Sequence, residues 1–154
     1  MDKPTRVYVS YIASSPDKVW DLLTDAHSSP DWFFGNRMEV GAEVGDSFRL
    51  TGPDGALDVD GKILAKDAWL RLRVSWVMPD MPVLSSENEV EFLIEDKGND
   101  VVRLAVQEYH YVAVPERWME AGREGWSYLL AGIKTMLETG APMPRIEMKP
   151  PEQD

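Results

Sequence analysis

Glu108 and His110 stand two residues apart at the end of an alternating apolar run, Val102, Leu104 and Val106. In a β-strand, residues two apart share a face and lie roughly 7 Å from one another. Continuing the parity of the run puts a carboxyl group and an imidazole on its inward face. Such a pair can orient a polar ligand group, or act as general acid and base. A strand that ends before Glu108, or a solvated rim, would leave the same two residues without either role. Other chemistry is thinly represented. The chain has no cysteine and only two histidines, His27 and His110, so thiol catalysis, disulfides and a zinc site are not expected. Asp54, Asp58, Asp60 and Gly61 resemble part of a calcium loop, but the closing glutamate is missing. Strand alternation also places Asp58 and Asp60 on a solvent face. No glycine-rich phosphate loop and no Gly-x-Ser-x-Gly elbow appears. No metal and no cofactor is therefore expected.

The elements that must position the pair follow from periodicity. Arg6 to Ile12 reads as a strand, with Val7, Val9 and Tyr11 on one face and Tyr8, Ser10 and Ile12 on the other. Ser15, Pro16 and Asp17 then signal a helix start, with Ser15 as the cap. Val19, Trp20, Leu22 and Leu23 form its apolar stripe. Ser29-Pro30-Asp31 opens a single helical turn ahead of Trp32, Phe33 and Phe34, a cluster that serves either as core or as a cavity wall. From Met38 to Tyr111 the period is two. One apolar and one polar face, repeated, describe an antiparallel sheet with one solvated side. Gly52-Pro53-Asp54-Gly55 and Lys97-Gly98-Asn99-Asp100 punctuate it as turns. Met78-Pro79-Asp80-Met81-Pro82-Val83 reads as a loop, since prolines are excluded from central strands.

Helical spacing returns at Trp118, Trp126, Leu129, Leu130, Ile133, Met136 and Leu137, and Gly140 and Pro142 end it. Gly122, Gly125 and Gly132 lie inside this helix, each costing about 1 kcal/mol relative to alanine. Close packing on the sheet, or room for a ligand, would justify them. Residues 143–154 are proline-rich and polar, and read as a loosely ordered tail after a single domain over 1–142.

The 154 residues carry a net charge of −11 and no basic cluster, which disfavours nucleic-acid binding. No apolar run approaches the roughly 20 residues of a membrane span. The absence of an apolar signal stretch after Met1 makes the cytoplasm the expected location.

In order and spacing, the chain resembles the START-like (SRPBCC) helix-grip superfamily. Within it, the likeness is to bacterial proteins similar to the C-terminal domain of the activator of heat-shock-protein-90 ATPase. The segments that carry it are Ile12 through Asp25, Asp31-Trp32-Phe33-Phe34-Gly35, Val44 through Arg49, Asp54-Gly55 through Leu64, and Gly125-Trp126 through Gly140. The resemblance implies an α+β helix-grip fold: a curved seven-stranded antiparallel sheet around a long C-terminal helix, with two short helices after the first strand and a cavity between. Members bind apolar molecules, and some are cyclases or hydrolases. The family has no universal catalytic residue to carry over.

The leading expectation is a non-catalytic binding protein for a small hydrophobic or amphipathic molecule. Trp32, Phe33, Phe48, Leu50, Val59, Trp76, Phe92, Leu104, Trp126 and Leu130 would supply apolar contact, and Glu108 and His110 the polar anchor. The alternatives are a cyclase, dehydratase or hydrolase of a polyketide-like substrate, and a chaperone accessory module using acidic strand residues Glu87, Glu89, Glu91 and Glu95. A homodimer paired through an edge strand is the further partner considered.

Overall fold

The computed structural model describes residues 3–81 and 88–148. The order is strand β1 (Arg6–Ile12), helix α1 (Pro16–Thr24), a single 3₁₀ turn (Ser29–Asp31), then β2 (Arg37–Val40), β3 (Ser47–Thr51), β4 (Leu57–Asp67), β5 (Arg71–Trp76), β6 (Asn88–Gly98), β7 (Val101–His110) and helix α2 (Glu116–Thr139). The seven strands form one antiparallel sheet in the order β1-β7-β6-β5-β4-β3-β2. This is the α+β helix-grip architecture, in which the inner face of the sheet closes on α2.

Period-two patterning is what commits each strand to that core. Val102, Leu104 and Val106 of β7 and Val90, Phe92 and Ile94 of β6 are buried, as are Phe48, Val59, Leu72 and Val74 on their neighbours. Trp126, Leu129, Leu130 and Ile133 of α2 and Val19, Trp20 and Leu23 of α1 pack on the same cluster. On β1, Val7, Val9 and Tyr11 are exposed, so the outer face of this edge strand is left uncovered. Gly140, at φ 77°, ends α2 with its N–H on the Met136 carbonyl, the left-handed cap the sequence signals.

Three details depart from the sequence reading. Ser15 occupies the α1 cap position but makes no side-chain cap bond. Its hydroxyl is turned instead to Asp17, whose carboxyl it holds below the usual range. Asp58 leaves the solvent face. The β3–β4 register jumps from Leu50↔Val59 to Thr51↔Leu57, so Asp58 is the extra residue of a bulge and is half-buried. Asp60 stays exposed. The third concerns the tail, where residues 143–148 are tied down. The Tyr128 hydroxyl donates to the Pro144 carbonyl (2.6 Å) and accepts from the Ile146 N–H (3.0 Å), and Arg145 donates to the Pro30 carbonyl (3.2 Å). Residues 149–154, and Pro82, Val83 and Glu87, lie outside the described residues.

Gly61 on β4 has a steric reason. A Cβ there would overlap the Ser75 carbonyl oxygen of β5. Gly61→Ala is expected to destabilise the fold by about 3 kcal/mol, the upper end for overpacking against backbone that cannot yield. A urea midpoint shifted by less than a third of that amount would show that β4 and β5 can separate there.

Candidate functional site

β3, β5 and β7 end, and β4 and β6 begin, at one edge of the curved sheet. A cavity of about 750 Å³ lies there between the sheet and the first half of α2. Two glycines of α2 keep it open. A Cβ on Gly125 would meet nothing within 4 Å, and one on Gly122 would meet only Glu108 Oε1 at 3.6 Å. Gly132 differs, for its Cβ position lies in ordinary van der Waals contact with Trp32, 3.4 Å from the carbonyl oxygen. Gly132 thus packs against the aromatic turn, while Gly122 and Gly125 face open space.

The apolar wall is aromatic. Phe33 stacks on Trp76 with ring centroids 6.2 Å apart and planes 15° from parallel, and meets Trp126 edge-on at 6.1 Å. Trp76 and Trp126 are 5.4 Å apart. Offset and edge contacts of this kind hold rings in fixed orientations. Of the residues singled out from the sequence, Phe33, Leu50, Val59, Trp76, Glu108, His110 and Trp126 line the cavity. Trp32, Phe48, Phe92, Leu104 and Leu130 are not among its lining residues; they are buried in the core cluster behind it. Strand parity identifies an inward side chain but cannot tell wall from core, which depends on how closely the side chains of α2 and the 3₁₀ turn approach each stretch of the sheet.

β7 stays regular to its end, so Glu108 and His110 share the inward face, and His110 Nε2 lies 2.7 Å from Glu108 Oε2. The pair is largely buried, with side-chain exposures of 12% for His110 and 8% for Glu108. With Glu108 as a carboxylate the oxygen accepts, so His110 carries a proton on Nε2. Glu108 Oε1, His110 Nδ1 and the Trp118 indole N–H are all buried without a hydrogen-bond partner. Buried polar atoms are ordinarily satisfied, and several orphans along one wall are the mark of a ligand or ordered water. No group of acidic or histidine side chains suited to a metal occurs among the described residues.

Tyr8 stands beside this end on β1, its hydroxyl buried and lacking a well-formed hydrogen bond. Burial first, and then the negative charge of Glu108, push its phenol up to about 12. A phenol whose folded pKa exceeds the unfolded value near 10 adds stability below pH ~10, and that stability is lost as pH rises toward 12. Tyrosinate absorbance is expected to show a late-ionising step that Tyr8→Phe removes. A late step left unchanged in Tyr8→Phe, or no late step in the natural chain, would contradict this placement of Tyr8.

Sequence reasoning missed several lining residues. Asn88, which pairs with His110 across β6 and β7, is inward by the same parity that found Glu108, carried one residue before Glu89. Trp118 shares the cavity-facing side of α2 with Gly122, Gly125, Trp126 and Leu129, a spacing legible as one helical face. Asn36 follows the 3₁₀ turn, while Phe34, of the aromatic cluster the sequence marks as core or cavity wall, and Met78 and Met81 of the loop after β5 line the cavity as well. Arg145, Ile146, Glu147 and Met148 line it too, and only the tertiary path of the tail brings them there. Asp58, redirected by its bulge, is also a lining residue; burial, and then Asp54 and Asp80, raise its carboxyl above the usual range.

Comparison with known proteins agrees on the fold. The chain is similar in structure to DynU16 from the dynemicin biosynthetic locus, at TM-score 0.75 and 21% identity over 88% of this chain, although it spans only 48% of that protein. It is also similar to PFC0360w, an Hsp90 activator from Plasmodium falciparum (TM-score 0.71, 17% identity, 88% of this chain and 96% of that one). The Aha1 dimer from Colwellia psychrerythraea gives TM-score 0.71 at 17% identity, over 87% and 96% of the two chains. No curated protein matches the chain. Residues 13–138 match the family model described as Activator of Hsp90 ATPase homolog 1-like protein, and the chain belongs to that family.

Proposed function

We propose that this protein binds a small hydrophobic or amphipathic molecule in the cavity between its sheet and α2. The observation that supports this most strongly is the unfilled space itself. Interiors pack with few voids larger than a water molecule, yet about 750 Å³ stays open beside two helix glycines and an aromatic wall. That volume falls within the usual 300–1,000 Å³ of small-molecule sites, and an apolar lining with few polar groups is their usual chemistry. Glu108, His110 and Trp118 supply the polar groups that would fix the ligand's orientation. The setting is the cytoplasm, and no helix among the described residues is long and apolar enough to cross a membrane.

Quenching of tryptophan fluorescence by naphthylmethanol, a neutral aromatic probe, tests the reading. Trp76, Trp118 and Trp126 line the cavity, so saturable one-to-one quenching is expected. Quenching that rises linearly without saturation would count against a built site.

A second reading rests on the 2.7 Å contact of Glu108 and His110. In a cyclase, dehydratase or hydrolase of a polyketide-like substrate, the pair would move a proton within the cavity. Its signature is a bell-shaped pH–rate profile that Glu108→Gln removes while binding is retained. The chaperone reading finds less support. Glu89 is paired with Arg73 (2.6 Å), Glu91 with Arg71 (3.3 Å) and Glu95 with Lys97 (3.0 Å), so the acidic strand is largely neutralised by its own neighbours. The similar Colwellia protein is a dimer, and a homodimer of this chain would pair through an edge strand, β1 or β2.

A further inference from the structure

We infer that the ligand is an organic cation, an aromatic or alicyclic frame carrying a protonated amine, with its nitrogen seated on Glu108 Oε1. The inference rests on the cavity being a binding site and concerns the charge of what enters it.

Glu108 is 6% exposed, and it lines the cavity with Oε2 on His110 and Oε1 in no well-formed hydrogen bond, the Tyr8 hydroxyl being a neighbouring donor. A carboxylate oxygen can only accept, so its partner must bring a hydrogen. Among neutral groups a hydroxyl qualifies, but the surrounding charge favours an ammonium. Asp58 and Glu147 also line the cavity. Burial first, and then the negative charge of Asp54 and Asp80, raise the carboxyl of Asp58. Among the described lining residues the one permanently charged cation is Arg145, against the carboxyl groups of Asp58, Glu89, Glu108 and Glu147. Arg6 and Arg123 flank Tyr8 from the outer groove between β1 and α2 and are not part of the cavity wall. The rest of the wall suits the same class, because the faces of Trp76, Trp118, Trp126 and Phe33 attract cations through their ring quadrupoles. The net charge of −11 adds attraction at longer range.

The test compares three probes on one frame: naphthylmethylamine, naphthylmethanol and naphthoate, titrated at neutral pH and constant ionic strength. The amine is expected to bind at least about tenfold more tightly than the alcohol, or about 1.4 kcal/mol, and the carboxylate to bind most weakly. Glu108→Gln should narrow the amine–alcohol gap to less than about threefold. If the alcohol binds while the amine shows no advantage, the charge assignment is overturned and the cavity reading stands. An amine preference that persists undiminished in Glu108→Gln also overturns it, by locating the cation elsewhere. If none of the three binds the natural chain, the cavity reading fails and this inference falls with it.

Discussion

Gly125→Phe is expected to abolish measurable binding of naphthylmethanol while leaving the protein at least as stable as the natural chain. Most substitutions that destroy a binding site also damage the fold, because the same side chains serve both. Gly125 separates the two. A Cβ there meets nothing within 4 Å, and the residue lies on the cavity side of α2 beside Trp126. A benzyl group grown from this position enters the space that the ligand needs. It also relieves the helix of an interior glycine, a gain approaching the 1 kcal/mol that separates glycine from alanine. Burying the ring contributes about 1.5–3 kcal/mol more where it can pack. Gly125→Ala is the graded control. Its melting temperature should rise by about 2–4 °C, the response of a domain of this size to 1 kcal/mol, and probe affinity should fall only modestly. Unchanged affinity in Gly125→Phe would place the ligand somewhere other than against α2.

Trp126→Ala is expected to act in the opposite way, removing about 3–5 kcal/mol of stability. Trp126 is 8% exposed, and its indole contacts Phe33 at 6.1 Å, Trp76 at 5.4 Å and Phe92 at 6.0 Å. It is thus both a wall of the cavity and the joint between α2 and the sheet. Deleting it adds a void next to an existing one, where neighbours have no packed surface to relax onto. Domains of this kind are stable by roughly 5–15 kcal/mol, so the variant is brought close to unfolding. Urea denaturation measures the loss through the midpoint, provided the slope is unchanged. A loss below about 1.5 kcal/mol would mean that Trp126 only borders the cavity.

These two residues mark where the sequence is informative and where it stops. Alternation along β6 and β7 carries the inward face, so the sequence puts Glu108 and His110 on one side of β7 provided that the strand runs on to His110, as it does. The order of strand, capped helix, strands and final helix likewise specifies the fold. Periodicity, however, is blind to distance between layers. Phe48, Phe92 and Leu104 follow the same rule as Trp76 and Val59, yet they are packed core, a difference set by how closely the side chains of α2 and the 3₁₀ turn approach each stretch of the sheet. Bulges escape it too. One extra residue in β4 is enough to bring Asp58 from the solvent face to the cavity lining. Tyr8 escaped for a related reason: its neighbour Glu108 belongs to a strand about a hundred residues later in the chain, and the two meet only through the β1–β7 ladder.

Native mass spectrometry of gently purified protein, followed by denaturing extraction, tests the central claim most directly. A container of this shape should carry a mass excess for one small molecule per chain, released on unfolding, or take up one naphthylmethanol per chain when the probe is added. A chain that shows only its own mass in both conditions would contradict the claim that the space beneath α2 is a binding site.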